Sequence, residues 1–159
     1  MYDELTIREA NVDDELLLLE WRNEESVRKA AFNSEIISLE DHKKWFQKKI
    51  QDFNCLILIL QKKGKDIGQI RFDITPSEEA DVSVSIVKEE RRKGYGNAIL
   101  MMGSNYLFMK YPKVKKVTSL IKENNAFSLK AFLKSGFKFI DRIHYKGHMA
   151  FIMVLERTG

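Results

Sequence analysis

The sequence predicts a mixed α/β (α+β) fold: a central, largely antiparallel sheet of about seven strands flanked by helices. The hydrophobic period switches repeatedly between 2 and 3.6, giving the order β-ααα-β-β-β-α-β-α-β-β. Three strand-like segments follow one another before Lys88, which favours antiparallel pairing over a doubly wound parallel sheet. With 159 residues, 44% hydrophobic and 11% aromatic, the chain is long and apolar enough for one packed core. A single domain over 1-159 is expected, since no linker, repeat or low-complexity stretch interrupts it.

Leu5–Glu9 alternates as a short strand, Leu5 and Ile7 against Thr6 and Arg8. Asn11 and Asp13 can cap a helix through Leu16–Trp21 by accepting from orphan amides, and Asn23 can end it. Glu24–Phe32 reads as a second, weaker helix and Leu39–Gln51 as a third, with Trp45 and Phe46 on its apolar face. Cys55–Leu60 is a continuous apolar run, as in a strand buried on both faces. After a turn at Lys63-Gly64-Lys65, Gly68–Ile74 alternates. Thr75–Glu79 with Pro76 is a loop, and Asp81–Val87 alternates again until Val87 follows Ile86 directly. A local bulge there would account for the break. Gly94–Lys110 is helical, with Ile99, Met102, Tyr106 and Met109 on one stripe. Lys116–Ile121 is a strand. Asn125–Ser135 is a helix with Leu129, Phe132 and Leu133 inward and Gly136 as its stop. Phe137–Tyr145 and Met149–Glu156 are two strands joined at Gly147.

Composition excludes several classes. No apolar string, Cys55–Leu60 and Leu16–Leu19 among them, approaches the ~20 residues of a membrane span. The acidic start MYDELTIREA lacks the apolar core of a signal peptide. One cysteine, Cys55, allows neither an internal disulfide nor a cysteine-clustered zinc site, and a reducing cytoplasm is the expected location. His42, His144 and His148 are too few and badly spaced for a metal, so none is expected. The net charge of +4, with its excess from Lys88 onward, is mildly basic. Arg91–Lys93 and Lys110–Lys116 could face a nucleic acid, but no aromatic stacking set accompanies them, and neither nucleic acid nor membrane is expected as a partner.

The informative segment is Arg91-Arg92-Lys93-Gly94-Tyr95-Gly96-Asn97, which follows a strand and opens a helix. Free amides and the positive dipole end, with glycines and flanking cations, make an anion site. An ordinary tight connection with a solvated rim fits these residues equally well. It is no P-loop, lacking GxxxxGK[ST], and Ile99 stands where a dinucleotide fingerprint needs glycine.

Arg91-x-x-Gly94-x-Gly96 after an apolar strand resembles the acyl-CoA signature Q/R-x-x-G-x-G/A of the GNAT N-acetyltransferase superfamily. Asn125-Ala126-Phe127-Ser128…Phe132…Gly136-Phe137 is similar to that family's N-x-x-A/S…Y…G-F helix. Leu5-Thr6-Ile7-Arg8-Glu9-Ala10 resembles its first strand. The resemblance implies a sheet splayed between strands 4 and 5 that takes acetyl-CoA as cosubstrate. The pantetheine arm would pair with the backbone of Ile86 and Val87. The diphosphate would sit at the cofactor-binding set Arg91, Arg92, Lys93, Gly94, Tyr95, Gly96 and Asn97, with Asn125 and Ser128 on the other wall. Lys130 and Lys134 are candidates for the adenosine 3′-phosphate, or simply solvated helix lysines.

The reaction so implied is direct attack of an amine on the thioester, with a base or a water wire taking its proton. Asp81 falls where many members carry a glutamate base; a solvated strand-edge aspartate is the plainer role. Ser83 and Ser85 share its face. Phe132 departs from the family's frequent tyrosine acid and has no proton to give, which leaves Tyr95 or Tyr145, or unaided departure of the thiolate. Trp21-Arg22-Asn23 with Ile37…His42-x-x-Trp45 resembles the nucleotide-sugar N-acetyltransferases of pseudaminic acid biosynthesis and, more distantly, the ribosomal-protein N-terminal acetyltransferases. Trp21 would stack on a base or sugar, Arg22 would meet a diphosphate, and His42 would bond a hydroxyl or act as base. Each also fits a core or surface role. The expected partner is a small-molecule amine, a UDP-amino-deoxysugar before a peptide, polyamine or antibiotic. A homodimer and a binding-only acyl-CoA module stay open.

Overall fold

The computed structural model describes residues 4–158. Strand β1 (Leu5–Glu9) leads through a 3-10 turn at Val12–Asp14 into α1 (Glu15–Asn23), α2 (Glu25–Ala30) and α3 (Leu39–Gln51). Strands β2 (Cys55–Lys62), β3 (Lys65–Ile74) and β4 (Glu79–Ile86) follow, then a 3-10 turn at Lys88–Glu90 and α4 (Tyr95–Lys110). The chain closes with β5 (Lys116–Lys122), α5 (Ala126–Lys134), β6 (Lys138–Tyr145) and β7 (His148–Glu156). The seven strands form one sheet in the order β1-β2-β3-β4-β5-β7-β6. Every neighbouring pair is antiparallel except β4 and β5, which run parallel.

The apolar run of β2 is buried from Leu56 to Leu60 because both faces of the sheet are covered. Leu56, Leu58 and Leu60 join Ile70, Phe72 and Ile99 in the larger core beneath α4. Ile57 and Ile59 point the other way, to Leu18 of α1 and Phe46 of α3. Glycine lets α4 lie close: a Cβ on Gly103 would stand 3.0 Å from two carbons of Ile70. The buried face of α4 therefore includes Gly103 and Ser104, and Met109, expected on the inner stripe, is exposed. In α5 Phe132 is buried edge-to-face on Phe137, centroids 4.8 Å apart, whereas Leu133, also expected inward, is exposed.

Asn11 caps the 3-10 turn rather than α1, in a capping box closed by Asp14. Asp14 is buried and receives both guanidinium nitrogens of Arg8 at 2.8 Å. The helices of the α3 side are thereby tied to β1, which fixes how α1 lies over the sheet.

Candidate active site

The two parallel strands hold together only briefly. β4 and β5 pair from Glu79↔Lys116 to Asp81↔Thr118 and then part. β4 stays on β3 up to Gly68↔Ile86 with no shift in register. The expected bulge at Ile86–Val87 is thus not there. The alternation breaks because the strand ends and turns into Lys88–Glu90. The Val87 amide donates to the Ile67 carbonyl at 2.9 Å, toward β3. Successive amides of a strand point to opposite edges, so the Ile86 amide faces the gap. Only Ile86, not Val87, offers its amide there. Gly68 permits this close seating, since a Cβ would stand 2.7 Å from Ile86 Cδ1 and 2.9 Å from the Ser85 carbonyl.

The basic loop lies across the mouth of this gap. Gly94 at φ +83° and Arg92 at φ +64° are left-handed and turn the chain sharply into α4. No side chain among the described residues caps that helix, so its first-turn amides are directed outward. Gly96 keeps α5 close, its missing Cβ lying 3.5 Å from Ala131 Cβ. Several side chains of the loop serve the fold. The Arg91 guanidinium turns back, Nε donating to the Ile86 carbonyl at 2.9 Å and the fork meeting Ser26 and Glu24. Arg92 stacks 5.0 Å over Phe127 at the start of α5. Lys93 and Lys62 share Glu90, and Tyr95 is buried under Lys62. Asn97 Oδ1 accepts from Ser135 at 2.7 Å, and Asn125 Oδ1 caps α5 at the Ser128 amide.

On the α1 side of the gap lies a cleft of about 160 Å³ bounded by Glu20, Trp21, Glu24, Ser85, Ile86 and Glu89. A second hollow of about 390 Å³ lies against the end of β5, lined by Lys122, Asn124 and His148. Asp81 stands at the apex, where β4 and β5 last pair. Asp81 is exposed as a residue, but partial desolvation of its carboxyl, then the neighbouring Asp73 and Glu79, push it above the ordinary aspartate value. Thr118 Oγ1 beside it is buried and has no partner among the described residues. Ser85 accepts from Gln69 at 3.2 Å.

The acceptor-side residues divide. Trp21 borders the cleft. Asn23 instead braces the chain, its amide bonding both the N–H and the carbonyl of Ile37 at 2.8 Å. His42 is buried, stacked on Phe46, with Nε2 2.7 Å from the Glu15 carbonyl. That packing corrects the expectation of a base or hydroxyl ligand at His42. Nothing in the sequence pattern marks Glu24, which reads only as the start of a helix and in the structure caps α2, nor Arg71 on an alternating strand.

A family model for the acetyltransferase (GNAT) domain matches residues 4–138. The chain belongs to the GNAT acetyltransferase family. No curated protein sequence matches it significantly. Solved structures resemble this GNAT chain over nearly its whole length. Spermidine N-acetyltransferase from Vibrio cholerae, in complex with CoA and spermine, has a TM-score of 0.85 at 17% identity, covering 96% of this chain and 95% of that one. The aminoglycoside acetyltransferase AAC(6')-Ib with coenzyme A and kanamycin gives 0.81 at 17% identity, covering 96% and 95%. AAC(6')-Ib in a complex with acetyl-CoA gives 0.81 at 18%, covering 98% and 94%. At such identities the likeness establishes the GNAT fold alone. No helix among the described residues is long and apolar enough to cross a membrane.

Proposed function

We propose that residues 1-159 form one acetyl-CoA-dependent N-acetyltransferase domain that acetylates a small primary amine. One observation carries this: β4 and β5 part immediately after Asp81 and Thr118, beside a helix start with no side-chain cap among the described residues, reached through left-handed Arg92 and Gly94. The residues suit the cosubstrate. The Ile86 amide faces the gap, and the outward amides of the first turn of α4 suit a diphosphate. CoA or acetyl-CoA bound to the similar enzymes supports the same choice.

Acetyl-CoA supplies an activated acetyl thioester. The acceptor nitrogen forms the new bond to the acetyl carbon as the carbon–sulfur bond breaks. Ile86 N–H donates to the acetyl oxygen as charge develops there. Asp81 takes the amine proton through water, and its raised carboxyl suits a base working nearer neutrality. Phe132 has no proton to donate, so the thiolate leaves unaided, as a thiol of pKa ~8.5 can.

The finer reading of the acceptor is the 4-amino group of a UDP-amino-deoxysugar. The cleft is lined by Glu20, Glu24 and Glu89 against Lys88 and Arg91, with Glu24 paired to Arg91, and this slight acidic excess favours a cationic amine, such as the spermine or kanamycin held by the similar proteins. Thiol release from acetyl-CoA, with product mass checked, separates the two across UDP-4-amino-sugars, ribosomal N-terminal peptides, spermidine and kanamycin. Acetylation of one class identifies the acceptor. Failure of acetyl-CoA to raise the unfolding temperature, with no product from any class, would refute the reading.

A further inference from the structure

We infer that the hollow at the end of β5 is an acceptor subsite for an anionic oxygen group, a phosphate or a carboxylate, with Lys122 as its cation. This rests on the acetyltransferase reading and adds what the far end of the acceptor carries.

The hollow, about 390 Å³, is lined by Lys122, Glu123, Asn124, His148 and Met149. That is the size of a small-molecule site. Lys122 borders this space yet is only 7% exposed. It ends β5 opposite Ala150 of β7, and His148, two residues before Ala150, shares that face. Lys122 Nζ donates to the Lys29 carbonyl in the last turn of α2 at 2.9 Å and sits 5.9 Å from the Phe32 ring centroid. The same ring meets His148 at 6.1 Å and Tyr145 at 5.0 Å, so Phe32 closes the corner between Lys122 and the β6–β7 hairpin.

An ammonium has three donors, and the Lys29 carbonyl takes one. No carboxylate among the described residues pairs with Lys122. Glu123, the acid of the lining, is held instead by Arg142, whose Nη2 and Nε donate to it at 2.9 and 3.2 Å. The hollow thus presents one buried cation without a counter-charge, beside the Asn124 amide and the His148 imidazole. Such a cation is costly, and an oxyanion that accepts its remaining N–H bonds offsets the cost.

The strands place this cation beside the reaction. β4 and β5 run parallel and last pair at Asp81↔Thr118. Lys122 lies four residues beyond Thr118, on the Asp81 face, and Ile86 lies five beyond Asp81. At ~3.3 Å per residue these are about 13 Å and 16 Å along the two lips of one gap. Lys122 and the Ile86 amide therefore stand at nearly the same level. An anion held on Lys122 sets the acceptor's amine at the acetyl group. The slightly acidic cleft at the end of β4 and this hollow at the end of β5 flank the gap, which suits an acceptor with both an amine and an anion.

His148 reports on the hollow, and the chain's other two histidines are controls. His42 is packed on Phe46, and His144, opposite Met149, lies on the other face of the hairpin. The experiment titrates inorganic phosphate, and separately acetate, into protein saturated with CoA, which fills the cofactor's own phosphate sites. It follows the imidazole proton NMR signals at fixed pH and ionic strength, with His148→Gln assigning the His148 line. A saturable shift confined to His148 is expected with at least one anion, and which one responds assigns phosphate or carboxylate. Lys122→Met should weaken that affinity about tenfold or more, and Lys122→Arg less, with heat protection by CoA confirming that both variants fold. No saturable shift with either anion, an equal shift of His42 or His144, or equal affinity in wild type and Lys122→Met would overturn the assignment. If Lys122→Met does not fold, the wild-type titration decides by whether His148 alone shifts. Absence of heat protection of the wild type by CoA would count against the acetyltransferase reading instead, and the same titration without CoA would still decide this one.

Discussion

Asp73 and Asp81 are direct cross-strand partners in β3 and β4, yet their carboxyls are driven in opposite directions. Burial works against charge on Asp73, but Arg71 and Lys49 override it and hold the group below its ordinary value. Asp81 has no such cation among the described residues; partial desolvation of its carboxyl and the charges of Asp73 and Glu79 push it up. Two carboxyls forced apart by their surroundings divide the work, and the raised one suits proton transfer.

The pH profile of kcat/KM should therefore show an acidic limb displaced above the ordinary aspartate range, rising as Asp81 ionises. Asp81→Asn should abolish that limb and lower kcat by about 10²–10⁴-fold. An unshifted limb in the variant would assign the base elsewhere.

Stability should respond in the opposite sense. Because Asp81 is raised in the folded state, the native protein binds its proton more tightly than the unfolded chain. Stability from this group is present below the unfolded pKa and is lost as pH rises through the folded one. Asp81 is exposed, so solvent screens the effect: Asp81→Asn should stabilise at neutral pH by no more than about a few tenths of a kcal/mol, and not in acid, in urea melts at the two pH values.

Gly68→Ala places a methyl against the Ser85 carbonyl, which is backbone and cannot swing aside. The substitution should cost about 1–3 kcal/mol and raise the KM for acetyl-CoA, since it displaces the Ile86 end of β4. Chemical denaturation and initial rates check the two effects.

Arg8→Ala should leave the buried Asp14 carboxylate without its bidentate partner and cost about 2–3 kcal/mol. The Asp14 carboxyl is held down by its bonds from Arg8 against the effect of burial. Its contribution is present above the unfolded aspartate pKa and fades as pH falls through the depressed one, so the wild-type and Arg8→Ala urea melts should converge in acid.

What the sequence discloses is what local pattern can encode. The β4-to-α4 loop is legible because glycines, cations and a strand-to-helix junction sit together in seven residues, Arg91 to Asn97. The strands are legible from alternation. Long-range pairing is not, and so the break at Ile86–Val87 resembles a bulge when it is the end of β4, still paired to β3, turning into Lys88–Glu90. His42 reads as chemistry because Ile37…His42-x-x-Trp45 resembles a family's acceptor side, yet the fold turns it onto Phe46. Met109 reads as core because apolar periodicity ignores Gly103, whose small size brings Ile70 to that face of α4 instead. The stacking of Arg71 on Trp45 and the contact of Glu24 with Arg91 join residues distant in the chain, which no local pattern shows.

The measurement that bears most directly on the central claim is a single-turnover time course. Protein loaded with acetyl-CoA is mixed with the acceptor and quenched, and the masses of product and intact protein are read together. Direct transfer predicts that the amine gains the acetyl group while the protein's mass never changes. An acetylated protein preceding product, or no acetylated amine from acetyl-CoA that is demonstrably bound, would contradict it.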